Sequence, residues 1–578
     1  MNKTNLKVQS LNPQHAFLII SFFALLFLII RARFGFCFND EPFCVTLAQR
    51  IFNGDALIAD EWHGCQLFSV IMLPFYAIYR LFSPSNEGIL LFLRHIYCIL
   101  WWLCCLHVTK SVVSPKTNDL RTLICKTLLF GYLILFSPLD YMTISYTSIG
   151  LVSVLVINCI AYHIPADIPV FSCKNALIFA FFWAILVLCS PFMAVGYALL
   201  FVGILAGAYR EVKTGNSYYF RNYLSIYKIA IIADIIFAAA FLFFFLFSRT
   251  DLAAVLTNLP YILADPEHQS YGLRLSVTIL LLDTFHQFPH LILFSFITLL
   301  CSFHKKIDHY RLVLFSINCI LYAAGQINAT VTPYLFNVQM LGITILGADA
   351  YFLSQNKNRK LFYTFYGFSA LYILLNGLAT NTGIYATSMS AVVAGVAAVP
   401  ILFHFAEELL EQYKLVPSKR RLALALAISV FFLQLSSQAV LKLTRQYWDA
   451  PVYSLRSTIQ CGAAKGLITN QSTANEYESN YRALTTLLGQ TDSENKKFLS
   501  CTSCPYLYLD ADLDFATFSA WTSGYGDGLN ARLLDYHSLH PDRIPDLIYC
   551  ASENDILDFI DDSYAEYTYE GHYLYVKE

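Results

Sequence analysis

Apolar residues run through most of this chain in long blocks, not at the short periods of soluble folds. A helix needs roughly 20 apolar residues to cross a bilayer. Candidate spans fall at 15–33, 88–109, 122–138, 147–163, 175–190, 191–209, 224–247, 289–303, 311–325, 335–354, 361–379, 384–402 and 421–439, thirteen in all. The segment 65–82 is apolar too, but carries Pro74, Tyr76, Tyr79 and Arg80. After 439 the pattern turns polar and Tyr-rich. Strand-type runs follow at Lys497–Ser500, Tyr506–Leu509, Asp546–Tyr549 and Tyr573–Val576, with a helical stretch at 474–489.

Composition agrees with the pattern. Of 578 residues, 57% are hydrophobic and only 13% charged, against about 25% in soluble domains. The formal charge of −2 gives no basic surface for a nucleic acid. The first apolar block exceeds a signal-peptide core and lacks a small-residue cleavage site, so it reads as an uncleaved span.

Lys and Arg, which favour cytoplasmic loops, set the topology. If 65–82 does not cross, the inner loops hold Lys110, Lys116 and Arg121, then Arg210, Lys213 and Arg221, then Lys305, Lys306 and Arg311. Lys357, Arg359 and Lys360 follow, then Lys414, Lys419, Arg420 and Arg421. The turns near 138–147, 326–335 and 380–384 contain neither residue type. A full crossing at 65–82 would invert that pattern, so this segment is expected to lie along the membrane or dip into it. The expectation is a polytopic all-α membrane protein, N-terminus in and C-terminus out. It has a membrane part at 1–439 and a small extracytoplasmic α/β domain at 440–578.

Of sixteen cysteines, Cys98, Cys104, Cys105, Cys159, Cys189 and Cys319 lie inside candidate spans, where a thiol serves as a small apolar group. Cys461, Cys501, Cys504 and Cys550 lie in the outer domain. Cys501-x-x-Cys504 admits three readings: a zinc half-site, a redox or disulfide pair, or ordinary thiols.

The candidate chemistry sits in the outer loops. Asp40-Glu41 follows the first span directly, and ionised groups beside hydrocarbon need water, partners or a function. The first outer loop, 34–86, continues with an amphipathic helix at 42–52. Leu47, Ile51 and Phe52 form its apolar stripe, with Gln49, Arg50 and Asn53 off it, as in a helix lying on a bilayer. Asp60-Glu61-Trp62-His63 comes next. The second outer loop carries Asp140, and the long loop 248–288 carries His268, Arg274 and His286. Acids, histidines and arginines beside apolar walls suit a substrate with a lipid tail and a phosphate. Arg33, Arg274, His268 or His286 would hold the phosphate, and Asp60, Glu61 and His63 would contact substrate. An acid would accept a proton from an incoming nucleophile.

This order of features resembles the GT-C glycosyltransferase superfamily, which includes the protein O-mannosyltransferases and the aminoarabinose transferases of lipid A. The matching elements are the acid pair after an N-in first span and the long first outer loop. An Arg-bearing second span (Arg94-His95) and a second-loop acid complete them, over roughly residues 10–400. The resemblance implies an inverting transfer from a polyprenyl-phosphate-linked sugar to an envelope glycan, lipid or protein, with no cofactor, at the plasma membrane of a bacterium. It carries the catalytic role to Asp40 or Glu41, and the second-loop role to Asp140. One departure stands out: the Lys-Pro or His-Pro element common after the acid pair is absent, and Trp62-His63-Gly64-Cys65-Gln66 occupies the region.

Blander readings stand beside these. Asn39 or Asp40 would cap a helix, Asp60-Glu61 would be a solvated loop, and Asp140 a turn acid. Asp234, in the seventh span without an evident second intramembrane acid, fits the alternative of a flippase, transporter or polymerase of lipid-linked precursors.

Overall fold

The structure is a computed structural model. It describes residues 13–113, 119–136, 142–170, 172–215, 217–264, 273–304, 307–331, 338–379, 384–493, 495–522, 525, 528–552, 560 and 562–578.

Each of the thirteen candidate segments carries one helix. Nine helices among the described residues are long and apolar enough to cross a membrane. A tenth span arises if Leu275–Gln287 and Pro289–Ser302, bent by 95°, count as one. The helices Cys173–Cys189 and Gln339–Leu353 are apolar but shorter. Leu120–Ile134 has 15 residues, about 22 Å of helix against a hydrocarbon core of about 30 Å. The chain is a multi-pass membrane protein.

Four elements frame the site. Helix α1 (Pro13–Arg31) is the first span, and α2 (Asp40–Asn53) follows one turn later. A short turn of helix, Gln66–Phe68, leads into α3 (Ser69–Phe82), and α4 (Ile89–Val112) is the next span. Helix α2 does not lie on a bilayer with its polar face in water. Every residue from Glu41 to Ile51 is buried, because α3 covers one side and the C-terminal region the other. The off-stripe residues Gln49 and Arg50 face that second cover: Gln49 Nε2 donates to Tyr508 O at 3.3 Å.

An intramembrane acid unnoticed in the sequence lies on Gln339–Leu353. Asp349 is buried and accepts from Ser295 at 2.7 Å, while Asp234 accepts from Tyr197 at 2.6 Å.

The helix Pro417–Thr444 hands over to the C-terminal region. A hairpin pairs β1 (Ser457–Thr458) with β2 (Ile468–Thr469). The five-stranded sheet consists of β3 (Lys497–Ser500), β4 (Asp514–Phe515), β5 (Leu547–Cys550), β6 (Tyr564–Tyr569) and β7 (His572–Lys577), in the order β4-β3-β5-β7-β6. Strand β3 runs parallel to both neighbours, and β7 antiparallel to both of its own. The expected strand at Tyr506–Leu509 is instead the start of a helix, Tyr506–Ala511, opened by Pro505. All four residues are buried, so their alternation carried no information about which face is wet.

Candidate functional site

The site begins with the turn between α1 and α2, which two buried arginines hold. Arg31 donates to Lys442 O at 2.7 Å, Arg445 O at 2.7 Å and Gln446 Oε1 at 3.0 Å. Arg94, from α4, donates to Ala32 O at 2.8 Å and grips Glu41 through both oxygens, at 2.7 and 2.5 Å. Glycine is required at position 35. Its φ is +89°, and a Cβ there would stand 2.0 Å from the Gln446 side chain. The segment 445–449 thus rides directly on the turn, and Asp449 pins it by accepting from Phe36 N at 2.9 Å and Asn470 Nδ2 at 2.7 Å.

The two acids of the opening pair therefore part company. Glu41 is fully buried and held through both oxygens by a bidentate arginine. Of the two acids expected to be catalytic, Glu41 is therefore the one placed in a buried ion pair. Asp40, one residue earlier, is only half-buried. The Cys37 thiol lies 3.6 Å from its Oδ2. The Tyr447 hydroxyl hydrogen-bonds the Asp40 carboxylate, and burial together with that carboxylate pushes the tyrosine's ionisation well up. Next to it Trp448 adopts φ +50°, a left-handed conformation that costs a non-glycine residue roughly 1–2 kcal/mol. Its side chain stays 76% exposed. Asn39 occupies the N-cap position but makes no side-chain cap bond, and Asp40 falls in the first turn, so neither caps the helix.

One turn further along α2, Phe43 packs edge-on to His63 at 4.5 Å and to Trp521 at 5.5 Å. His63 is buried, and its Nδ1 accepts from the Cys65 amide at 3.1 Å. The Tyr146 amide donates to the Cys44 thiol, so the helix Tyr146–His163 starts beside α2.

Asp60 and Glu61 are neither solvated nor turned toward Asp40. They belong to a buried ionic cluster that docks the first loop onto the C-terminal region. Arg50 binds Asp55 at 2.7 Å and Glu61 at 3.0 Å. Arg543 binds Asp55 at 2.7 Å and Asp60 at 3.3 Å, with His540 3.8 Å from Asp60. Burial pushes the Asp60 and Glu61 carboxyls up and the His540 imidazole down. Trp62, next after the two acids in sequence, donates to Asn258 at 2.8 Å and stacks on Tyr261 at 4.4 Å. A second clasp joins Arg80 to Asp512 at 2.7 Å. Asp60 and Glu61, expected to contact substrate, are thus held with Asp55 in ion pairs to Arg50 and Arg543. No local pattern marks Arg543, whose partners Asp55 and Asp60 lie at the other end of the chain.

Arg33 is exposed on the turn beside His95. His286 is exposed on the helix Leu273–Gln287, which packs on Arg359–Ala379 and Ile384–Gln412. Asp140 and His268 lie outside the described residues, as does the Arg274 side chain.

No protein-family model matches the chain, and no curated protein matches it in sequence. Among solved structures it is similar to ArnT from Cupriavidus metallidurans bound to undecaprenyl phosphate, at 9% identity and a TM-score of 0.47, with 97% of each chain covered. It is also similar to the archaeal oligosaccharyltransferase AglB from Archaeoglobus fulgidus, in complex with an inhibitory peptide and a dolichol-phosphate. That match has 11% identity and a TM-score of 0.40, covering 98% of this chain and 74% of the other.

Proposed function

We propose that the protein is a glycosyltransferase that takes a sugar from a polyprenyl phosphate and passes it to an envelope acceptor on the outer face, with Asp40 as the base. One observation carries the reading. The first-loop acids Glu41, Asp55 and Glu61 are each bound by a buried arginine and Asp60 by the partly buried Arg543, whereas Asp40 is half-buried and bound by the Tyr447 hydroxyl, with the exposed Trp448 next to that tyrosine. Asp40 accepts the proton of the acceptor hydroxyl or amine as its bond to the anomeric carbon forms, and polyprenyl phosphate leaves from the opposite face of the sugar. Tyr447 orients the carboxylate, and Trp448 offers an aromatic face to a sugar ring. Arg33, exposed on the same turn, holds the donor phosphate. The loop charges support the outer-face orientation, and the bilayer delivers the lipid-linked donor.

The test is sugar transfer from a defined polyprenyl-phosphate donor by the Asp40→Asn protein. Activity at the wild-type level would overturn the assignment. A transport reading draws on Asp234 and Asp349, each hydrogen-bonded to a hydroxyl within the helices. Lipid-linked precursor crossing proteoliposome membranes, undiminished by Asp40→Asn and abolished by Asp349→Asn, would favour it.

A further inference from the structure

Strands β3 and β5 run parallel at the centre of the sheet, paired from Phe498 with Leu547 through Ser500 with Tyr549. The pairing continues one step further, where the Cys501 amide donates to Tyr549 O at 2.9 Å. The residues brought together there are Cys501 and Cys550, with Sγ atoms 2.9 Å apart. Both are buried in one apolar cluster with Trp62, Leu499, Phe518 and Ile548. Adjacent strands stand about 4.8 Å apart, inside the roughly 4.4–6.8 Å between Cα atoms that a disulfide spans. The two sulfurs can therefore bond without moving the backbone.

We propose that Cys501 and Cys550 form a disulfide in the mature protein. The inference rests on the proposed function in one respect, that the C-terminal region faces an oxidising compartment. The neighbouring cysteines are poorer candidates. Cys504 sits past the strand end, in the turn before Tyr506–Ala511. The Cys461 thiol is pushed up to about 11 by burial and by Glu478 and Asp510, which lowers its thiolate fraction.

The bond forms by exchange with a disulfide-bearing oxidant, a protein or small molecule of that compartment. One cysteine thiolate attacks a sulfur of the oxidant, breaking its S–S bond and making a mixed disulfide. The second cysteine, having lost its proton, attacks the first cysteine's sulfur and displaces the oxidant's other thiolate. Two electrons pass to the oxidant, and its two thiolates take up the two protons. The cross-link joins positions 49 residues apart. The loop it closes contains Tyr536, His540 and Arg543, the face that docks on Asp55 and Asp60. The bond would hold that face in place before the first loop meets it.

The test uses the full-length protein, alkylated while denatured and unreduced, then digested and mapped by mass spectrometry. The expected result is a peptide pair joining Cys501 to Cys550 that disappears on reduction. In Cys501→Ser protein, Cys550 should become alkylated. Reductant should lower the thermal midpoint of the wild type and leave that of the Cys501→Ala/Cys550→Ala protein unchanged. In parallel, a membrane-impermeant maleimide on intact cells reads the half-buried Cys461 by peptide mapping. Full alkylation of Cys501 and Cys550 with Cys461 labelled would overturn the disulfide and leave the orientation standing. No label on Cys461 in intact cells, with labelling once the membrane is opened, would overturn the orientation and the disulfide with it.

Discussion

Asp40 and Glu41 are neighbours in the first turn of one helix, and their surroundings are opposite. Glu41 meets a guanidinium from α4 through two oxygens and has no exposed surface. Asp40 is half-buried and meets a tyrosine hydroxyl and a thiol. The difference separates two uses of a carboxylate. A buried acid matched to arginine fixes geometry, because removing either partner strands a charge. A half-buried acid keeps exposed surface through which a proton can reach it. The same division recurs across the first loop. Asp55, Asp60 and Glu61 all go to docking, and the chemistry proposed above falls to Asp40.

The comparison breaks most visibly if Asp40 is neutralised. Asp40→Asn keeps the size and hydrogen-bonding capacity of the side chain while removing its basicity. We expect kcat for transfer to fall by roughly 10²–10⁴ with little change in the thermal midpoint in detergent. A large midpoint shift would make Asp40 a docking acid like its neighbour.

Arg94→Ala tests the other half. It leaves Glu41 ionised, buried and unpaired, at a cost of about 3–5 kcal/mol, and frees the Ala32 carbonyl. The expected readout is a steep loss of folded protein after solubilisation, partly relieved in the Arg94→Ala/Glu41→Gln double variant. A soluble, active Arg94→Ala protein would mean that the pair does not hold the turn.

Arg543→Ala probes the ionic cluster from the C-terminal side. Arg543 is 15% exposed at its side chain, and Arg50 still neutralises Asp55, so the cost should be smaller, roughly 1–3 kcal/mol. The first loop should become susceptible to limited proteolysis near Asn53–Gly54 before the spans unfold. Simultaneous loss of both would mean that the cluster supports the whole molecule and not one joint.

The spans were legible because hydropathy is a local property, and each candidate block became one helix. Strands β3, β5 and β7 were legible for the same reason. What stayed hidden depends on partners distant in sequence. Arg50 looked like the wet face of a surface helix because the strand residue that covers it, Phe515, comes from the far end of the chain. Nothing local separates Asp40 from Glu41. The choice is made by Arg94, 53 residues beyond Glu41. Tyr447 and Trp448 carried no motif, since their meaning comes from the packing of Gln446 on Gly35.

The smallest effect concerns an acid that has neither of these two environments. Asp510 is the counter-case to Glu41, being shielded without a guanidinium. Its Oδ1 accepts from the Ala463 amide at 2.7 Å and the Tyr477 hydroxyl at 3.0 Å, while Oδ2 is buried without a partner. Burial pushes its carboxyl up to about 7, and those two donors offset only part of the rise. In the unfolded chain the same group ionises near pH 4. Between about pH 4 and about pH 7 the unfolded chain has released this proton and the folded protein still holds it, so the folded state binds more protons there. Stability contributed by the neutral acid is complete below about pH 4, declines through that window and levels off above it. Asp60 and Glu61 are raised in the same direction, so the total slope belongs to several groups and the variant isolates one. Thermal midpoints of wild-type and Asp510→Asn protein should converge at the acid end and diverge toward neutral pH, with the variant the more stable there. Tyr477 packs on Phe36 at 5.2 Å, so ionisation of Asp510 should also loosen the turn leading to Asp40. Parallel pH curves for the two proteins would show that Asp510 ionises freely in the fold. The contrast between arginine-matched and hydroxyl-matched acids would then be confined to the first loop.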